Sequence, residues 1–263
     1  MGSKLAVQLY TVREFTKTEK DFAETLDKIR DIAYPAVQLS AVGCMSGDSP
    51  EVSAAKAKSM LDDRGLRCVA THRALDSLLE DIEAEIDFHK ALDCGYAAIG
   101  SMPGSYRKDG AEGIRRFLSE AAAVIEKLKA AEIDFGYHNH AHEFVRATDG
   151  CGTVMDILID EGGDGLKMEL DVYWVAHAGA NPERLIERCA GRIPVLHFKD
   201  KEVVADDGPV MAAIGEGNLD WDHLIPACEA GGTEWYAVEQ DVCRRDPFDC
   251  LKSSFDFLTA KGL

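Results

Sequence analysis

Near its start the chain reads LAVQLYTVR (Leu5–Arg13), an apolar run followed by a turn that contains no glycine. This stretch separates two common α/β folds. A doubly wound sheet usually carries a glycine-rich phosphate-binding turn after its first strand, whereas a closed barrel of strand–helix units needs no such turn. The first strand and its turn therefore favour the barrel.

The same alternation of a short apolar run and a longer amphipathic segment continues along the chain. Two amphipathic segments, Asp21–Ile32 and Ile114–Leu128, place their apolar residues at the spacing of a helix. The apolar runs predict eight strands: Leu5–Leu9, Ala36–Leu39, Arg67–Thr71, Tyr96–Gly100, Ile133–His138, Leu166–Leu170, Pro194–Phe198 and Trp235–Val238. Because composition does not change between these units, we predict an α/β fold, a (β/α)8 TIM barrel that forms a single domain over residues 1–263.

Composition argues against several classes of function. The 263 residues include 29 basic and 47 acidic side chains, and the resulting net charge of −18 repels nucleic acid. No run approaches the roughly 20 apolar residues of a membrane helix, and the N-terminus has no apolar signal core. None of the eight cysteines forms a CxxC pair, which favours free thiols in a reducing compartment. We expect a cytoplasmic protein with no membrane or nucleic-acid partner, either monomeric or assembled as a homo-oligomer.

Polar residues collect at the ends of the last four predicted strands, which converge on one axis in a closed barrel. The segments are Tyr137–Phe144 (YHNHAHEF), Glu169–Trp174 (ELDVYW), His197–Asp200 (HFKD) and Glu239–Asp241 (EQD). Glu143, Asp171, His197 and Glu239 offer a ligand set that suits one divalent metal ion, Mn²⁺, Co²⁺, Zn²⁺ or Mg²⁺. A lone strand-end histidine is more often structural, and a lone aspartate before a helix is usually an N-cap. Four such residues at matching positions favour the metal site.

Several motifs recur in a known order along the chain. They are VQLYTVR, YHNHAHEF, ELDVYWVAHAGANP, HFKDK, IGEGNLDW and EQD. As a set these motifs resemble the sugar phosphate isomerase/epimerase family of xylose-isomerase-like barrels, which includes inosose dehydratase and the ketose 3-epimerases. The resemblance covers essentially the whole chain. It implies a metal site of Glu, Asp, His and Glu on strands five to eight, here Glu143, Asp171, His197 and Glu239.

The first of these four positions departs from the family pattern. In the epimerases the glutamate lies on strand five itself, where this chain has His138. Either Glu143 folds back to the metal from the following loop, or a histidine of strand five replaces it. Glu143 is favoured because a carboxylate keeps the site closer to charge balance.

The resemblance implies that the protein abstracts a proton beside a carbonyl while a metal stabilises the enediolate charge. Glu239 and Glu143 are the expected acid–base pair, and His140 is the alternative base. Lys199 either polarises a substrate oxygen or forms a salt bridge with Asp200.

Four residues are expected to contact the substrate: His72, His138, Trp174 and Glu216. Two of them have a simpler alternative. Trp174 also fits a core aromatic residue, and Glu216, which lies between two glycines, also fits a plain turn.

The predicted function is that of an enzyme, a metal-dependent isomerase or epimerase of a small sugar or keto-sugar. The nearest alternative is a lyase of the same superfamily, similar to inosose dehydratase or to enzymes that cleave 3-oxo-glycosides. An abasic-site endonuclease is less favoured because of the acidic charge. A non-catalytic sugar-binding barrel is the remaining alternative.

Overall fold

The computed structural model describes residues 3–263. Its strands are β1 (Leu5–Gln8), β2 (Ala36–Leu39), β3 (Arg67–Arg73), β4 (Tyr96–Ile99), β5 (Asp134–His138), β6 (Leu166–Glu169), β7 (Val195–Phe198), β8 (Asp200–Val204), β9 (Gly208–Ala212) and β10 (Trp235–Val238). All except β8 and β9 belong to one sheet of eight parallel strands that forms a nearly closed barrel. Each barrel strand lies on a predicted apolar run, so the predicted (β/α)8 TIM barrel is confirmed.

The strands follow one another around the barrel in the order β6-β5-β4-β3-β2-β1-β10-β7. The gap between β6 and β7 is bridged by two backbone hydrogen bonds, from His197 N–H to the Leu170 carbonyl and from Met168 N–H to the Arg192 carbonyl, both 2.8 Å long. The carboxyl ends of β5, β6, β7 and β10 therefore surround one region of the barrel axis.

Helices lie between the strands and cover the outside of the barrel. They are α1 (Glu19–Ile32), α2 (Ala54–Asp62), α3 (Leu75–Glu80), α4 (Ile82–Leu92), α5 (Gly104–Arg107), α6 (Gly110–Ala130), α7 (Val154–Glu161), α8 (Val172–His177), α9 (Pro182–Arg188), α10 (Trp221–Ala230) and α11 (Pro247–Ala260). The two helices predicted from periodicity correspond to α1 and to the middle of α6. Their apolar faces are buried in the main core, as Phe22 and Phe117 illustrate.

The hairpin formed by β8 and β9 was not predicted from the sequence. Strands β8 and β9 form an antiparallel hairpin that follows directly after β7. The buried carboxylate of Asp200, at the start of β8, accepts hydrogen bonds from the N–H groups of Gly215, Gly217 and Leu219 and from Trp221 Nε1. These bonds hold the loop that precedes α10.

Two further observations bear on the composition. All eight cysteines are free thiols, as predicted. Within residues 3–263, no helix combines the length and the apolar character that crossing a membrane requires.

Candidate active site

Four side chains meet at the carboxyl ends of β5, β6, β7 and β10: His138, Asp171, His197 and Glu239. Their potential metal-binding atoms all lie within 4.8 Å of one another, and none of the four residues is more than 5% exposed. His197 Nδ1 is 2.8 Å from Glu239 Oε2, and His138 Nε2 is 3.9 Å from Asp171 Oδ2. We call these four residues the axial cluster. It contains three of the four predicted metal ligands.

Asp171 has one oxygen committed to the backbone and one that faces the cluster. Its Oδ1 accepts a hydrogen bond from Trp174 N–H at 3.0 Å and so caps α8. Its own N–H donates to Asn139 Oδ1 at 3.0 Å, which fixes the position of the residue. Its Oδ2 is buried and has no hydrogen bond. The Lys199 ammonium lies 3.1 Å from this oxygen. The oxygen also lies among the other potential ligand atoms of the axial cluster, and buried carboxylates are stabilised by nearby positive charge, so the cluster fits a bound cation in addition to Lys199.

A second buried carboxylate, that of Glu169 at the end of β6, lies beside the axial cluster. Its Oε2 accepts a hydrogen bond from His72 Nε2 at 2.5 Å and lies 3.3 Å from His197 Nε2. The Gln38 amide links Glu169 to His197. It donates a hydrogen bond to Glu169 Oε1 at 2.9 Å and accepts one from His197 Nε2 at 2.8 Å. Neither Glu169 nor Gln38 was predicted as a site residue. The two-residue alternation of a strand places Glu169 on the same face as Asp171, and this signal could have found it.

Lys199 is buried among three carboxylates. Its Nζ lies 3.1 Å from Asp171 Oδ2, 2.9 Å from Glu239 Oε2 and 2.9 Å from Asp241 Oδ1. It does not pair with Asp200, whose carboxylate is occupied by the loop before α10. Lys199 therefore lies at the predicted site, and it brings Asp241, which was not predicted, into contact with the axial cluster.

The buried charges shift one another's pKa values. Burial lowers the pKa of His197, but Glu169 and Glu239 outweigh this effect and raise it to about 10. Burial raises the pKa of Glu169, yet His72 and His197 lower it to about 2. Burial and the charge of Glu239 raise the pKa of Asp241 to about 6. At neutral pH the site thus holds ionised carboxylates around one imidazolium and one ammonium group, and it attracts positive charge.

Glu143 does not join the axial cluster, although it was the favoured first ligand. Its carboxylate accepts hydrogen bonds from the Tyr137 hydroxyl at 2.6 Å and from His140 N–H at 2.8 Å. Tyr137 and His138 are neighbours on β5 and so face opposite sides of the strand. Glu143 is held on the Tyr137 side, and His138, a histidine of strand five, stands next to Asp171 instead.

Glu216 and Trp174 also differ from the expected substrate contacts. Glu216 forms a bidentate salt bridge with Arg245 at 2.7 Å and lines a separate cavity. Its loop is held by Asp200 and directs it away from the axial cluster. Trp174 is half-buried beside His140, with ring centroids 5.4 Å apart, and does not line the cavity described next.

A cavity of about 390 Å³ opens onto the axial cluster. Of the predicted site residues, those that line it are His72, His138, His140, Lys199 and Glu239. Asp241, Gln8 and Tyr10 line it as well. Its volume lies within the range of small-molecule sites.

The fold and the site together define a class: parallel eight-stranded barrels with a buried histidine–carboxylate cluster at the carboxyl ends of the strands. The family model described as the xylose isomerase-like TIM barrel matches residues 26–260. The chain belongs to this family, and the predicted membership of the xylose-isomerase-like barrels is confirmed. A comparison with curated proteins found no match.

Several solved structures share the fold. A sugar phosphate isomerase/epimerase from Parabacteroides distasonis is 22% identical, with a TM-score of 0.82 over 100% of this chain and 96% of that one. An L-ribulose 3-epimerase is 15% identical, with a TM-score of 0.72 over 98% and 94% of the two chains. The IOLI protein with a bound zinc atom is 13% identical, with a TM-score of 0.71 over 99% of each chain.

Proposed function

We propose that this chain is a metal-dependent isomerase or epimerase that removes a proton beside the carbonyl of a small sugar or keto-sugar. The observation that carries the proposal is the axial cluster, in which the potential ligand atoms of two imidazoles and two carboxylates all lie within 4.8 Å of one another. The cluster opens into a cavity large enough for a small sugar. The shared fold of an L-ribulose 3-epimerase supports the same class of reaction.

The residues that would hold the metal are His138, Asp171, His197 and Glu239. For His197 the ligand atom is Nδ1, because its Nε2 donates to Gln38 Oε1. Two nitrogen and two oxygen donors suit Zn²⁺, Mn²⁺ or Co²⁺ better than Mg²⁺, which favours oxygen ligands. When bound, the ion supplies positive charge that stabilises the oxyanion developing on the substrate.

Glu239 is the proposed proton acceptor. It lines the cavity and can therefore face the substrate. Burial raises its pKa, but Lys199 and His197 lower it well below its ordinary value, so the carboxylate is ionised at neutral pH. Lys199 holds this carboxylate in place, because its Nζ lies between Glu239 and Asp241. An ionised carboxylate in contact with the carbon-bound proton is a general base.

The second acid–base group decides between an epimerase and a lyase. Glu143, the expected partner, is held away from the cavity. Two other groups line it: His140, whose pKa burial lowers to about 4, and Asp241, whose pKa burial and Glu239 raise to about 6. His140 is neutral at pH 7 and can accept a proton, as epimerisation requires. Asp241 titrates near neutrality and can give a proton to a leaving group. The position of Asp241 therefore favours a lyase as the second candidate.

The experiment measures metal content and then proton exchange. Purified protein is stripped with chelator, reloaded with Mn²⁺, Co²⁺ or Zn²⁺, and incubated in D₂O with a panel of ketoses and 3-oxo-glycosides. NMR then distinguishes an isomerised sugar from an eliminated product. We expect activity to depend on metal, and Glu239→Gln to reduce exchange by about 10²–10⁴-fold.

Glu216→Gln is the matched control, because Glu216 lies outside the site and should leave exchange unchanged. Full activity in metal-free protein would contradict the proposal. Normal exchange in metal-loaded Glu239→Gln would assign the base to another residue. Elimination without any isomerised sugar would establish the lyase.

A further inference from the structure

The loop after β5 carries a second group of potential metal ligands: His140, His142 and Glu143. Their ligand atoms all lie within 4.8 Å of one another. His140 Nδ1 and His142 Nε2 are both buried, and His140 Nδ1 has no hydrogen bond. His142 Nε2 lies 2.9 Å from Glu143 Oε1, and the two imidazole rings are nearly parallel, with centroids 5.5 Å apart. We call these three residues the loop cluster.

We propose that the loop cluster is a second metal site, which takes a transition-metal ion of the Zn²⁺ type. Two imidazoles and one carboxylate, with a fourth position left open, form a complete set of protein ligands for zinc. Imidazole nitrogens select Zn²⁺, Cu²⁺ or Ni²⁺ over Mg²⁺ and Ca²⁺. The loop cluster shares no residue with the axial cluster, so this proposal does not rest on the proposed function.

The surroundings hold the carboxylate in the required position. Tyr137 donates to Glu143 Oε1 and the backbone of His140 donates to Glu143 Oε2. Hydrogen bonds of this kind orient metal-binding carboxylates in proteins. The short 3-10 helix His142–Phe144 then places His142 next to the same carboxylate.

An ion can reach the loop cluster from outside the barrel. His142 and Glu143 line a cavity of about 350 Å³ that is separate from the one above the axial cluster. The His142 side chain is 30% exposed. Water or a ligand oxygen in this cavity could therefore complete the coordination of a bound ion.

A simple ion pair between His142 and Glu143 is the alternative to a bound ion, but it explains only one of the two buried nitrogens. It would satisfy His142 Nε2 but would leave His140 Nδ1 buried without a partner, whereas one bound ion satisfies both nitrogens. The same ion would also affect the axial site. With Nδ1 bound, the neutral imidazole of His140 would carry its proton on Nε2. The ring that lines the substrate cavity would then donate a hydrogen bond, and His140 could not act as the proton acceptor of an epimerisation while the ion is bound.

The test counts bound metal in the full-length chain. Chelator-stripped protein is titrated with Zn²⁺ by calorimetry, and bound metal is measured by elemental analysis after dialysis. His142→Gln removes a ligand of the loop cluster, and Asp171→Asn removes a ligand of the axial cluster. His223→Gln is the matched control, because His223 is an exposed histidine paired with Asp220 at 2.7 Å, outside both clusters.

We expect wild type and His223→Gln to bind two equivalents, each single-cluster variant to bind one, and the double variant to bind none. Equal metal content in wild type and folded His142→Gln would overturn the loop cluster. Glu143→Gln provides a second check and should lose the same equivalent of metal. Glutamine keeps the shape of the side chain, but it removes the negative charge and its single oxygen can accept only one of the two hydrogen bonds from Tyr137 and the His140 backbone. If metal is lost in His142→Gln and unaffected by Asp171→Asn, the loop cluster stands and the proposed function fails. If metal is lost in Asp171→Asn and unaffected by His142→Gln, the axial site stands and the loop cluster is not a metal site.

Discussion

Replacing Glu169 with glutamine tests whether one buried carboxylate orients the histidines around the axial cluster. Glu169 Oε2 accepts a hydrogen bond from His72 at 2.5 Å and lies 3.3 Å from His197 Nε2. Glutamine keeps the shape of the side chain and an oxygen for Gln38, but it removes the negative charge. We expect the metal affinity of the axial cluster to fall about 10–100-fold.

The magnitude follows from these contacts. A hydrogen bond to a charged group contributes about 1.5–3 kcal/mol, and a 10–100-fold change in affinity corresponds to about 1.4–2.7 kcal/mol. One effect of removing Glu169 would instead raise the metal affinity. Glu169 helps to raise the pKa of His197 to about 10, and His197 must lose that proton before its Nδ1 can bind metal. Exchanging a proton for a divalent ion nevertheless adds positive charge beside Glu169, so the loss of attraction dominates.

The assay is competition between the protein and a chromophoric chelator at one pH, with ¹⁵N NMR of labelled histidine to report the tautomer of His197. Glu85→Gln is the control, because Glu85 is also buried and hydrogen-bonded, to Arg73 at 2.6 Å, but lies outside the cluster. Unchanged affinity in folded Glu169→Gln would refute the orienting role. An equal loss in Glu85→Gln would show that the affinity follows general stability instead.

Three further predictions concern stability and binding. Metal-free protein should lose stability as the pH rises from 7 toward 10. Folding raises the pKa of His197 from 6.5 to about 10, so the proton that stabilises the folded state is released over this pH range. Denaturant titrations at several pH values would contradict this if the free energy of unfolding showed no decline. Gly217→Ala should destabilise the protein by about 1–3 kcal/mol, since a Cβ would lie 2.3 Å from Asp200 Oδ1; an unchanged urea midpoint would disprove the clash. Duplex DNA should not bind at physiological salt because the net charge is −18; submicromolar binding in fluorescence anisotropy would favour the nuclease alternative.

Much of the site could be predicted because a barrel places the carboxyl ends of its strands together whatever their sequences. Asp171, His197 and Glu239 were identified from strand ends alone, and they meet in the axial cluster. Glu143 could not be placed in the same way, since it lies in a loop after β5. The direction of a loop side chain depends on which backbone N–H or hydroxyl group satisfies it, here His140 N–H and the Tyr137 hydroxyl.

The sequence by itself determined the barrel, the strand boundaries to within two residues and the strand ends that carry polar side chains. Hydrophobic periodicity is a local property, and it is enough for these conclusions. Only the tertiary structure decided which side chains share one site. In the folded chain Gln38 forms hydrogen bonds with Glu169 and His197, which are far away along the sequence. Glu143 and Glu216 lie outside the axial cluster. The physical reason is that buried polar atoms must find hydrogen-bond partners, and those partners exist only once the chain has folded.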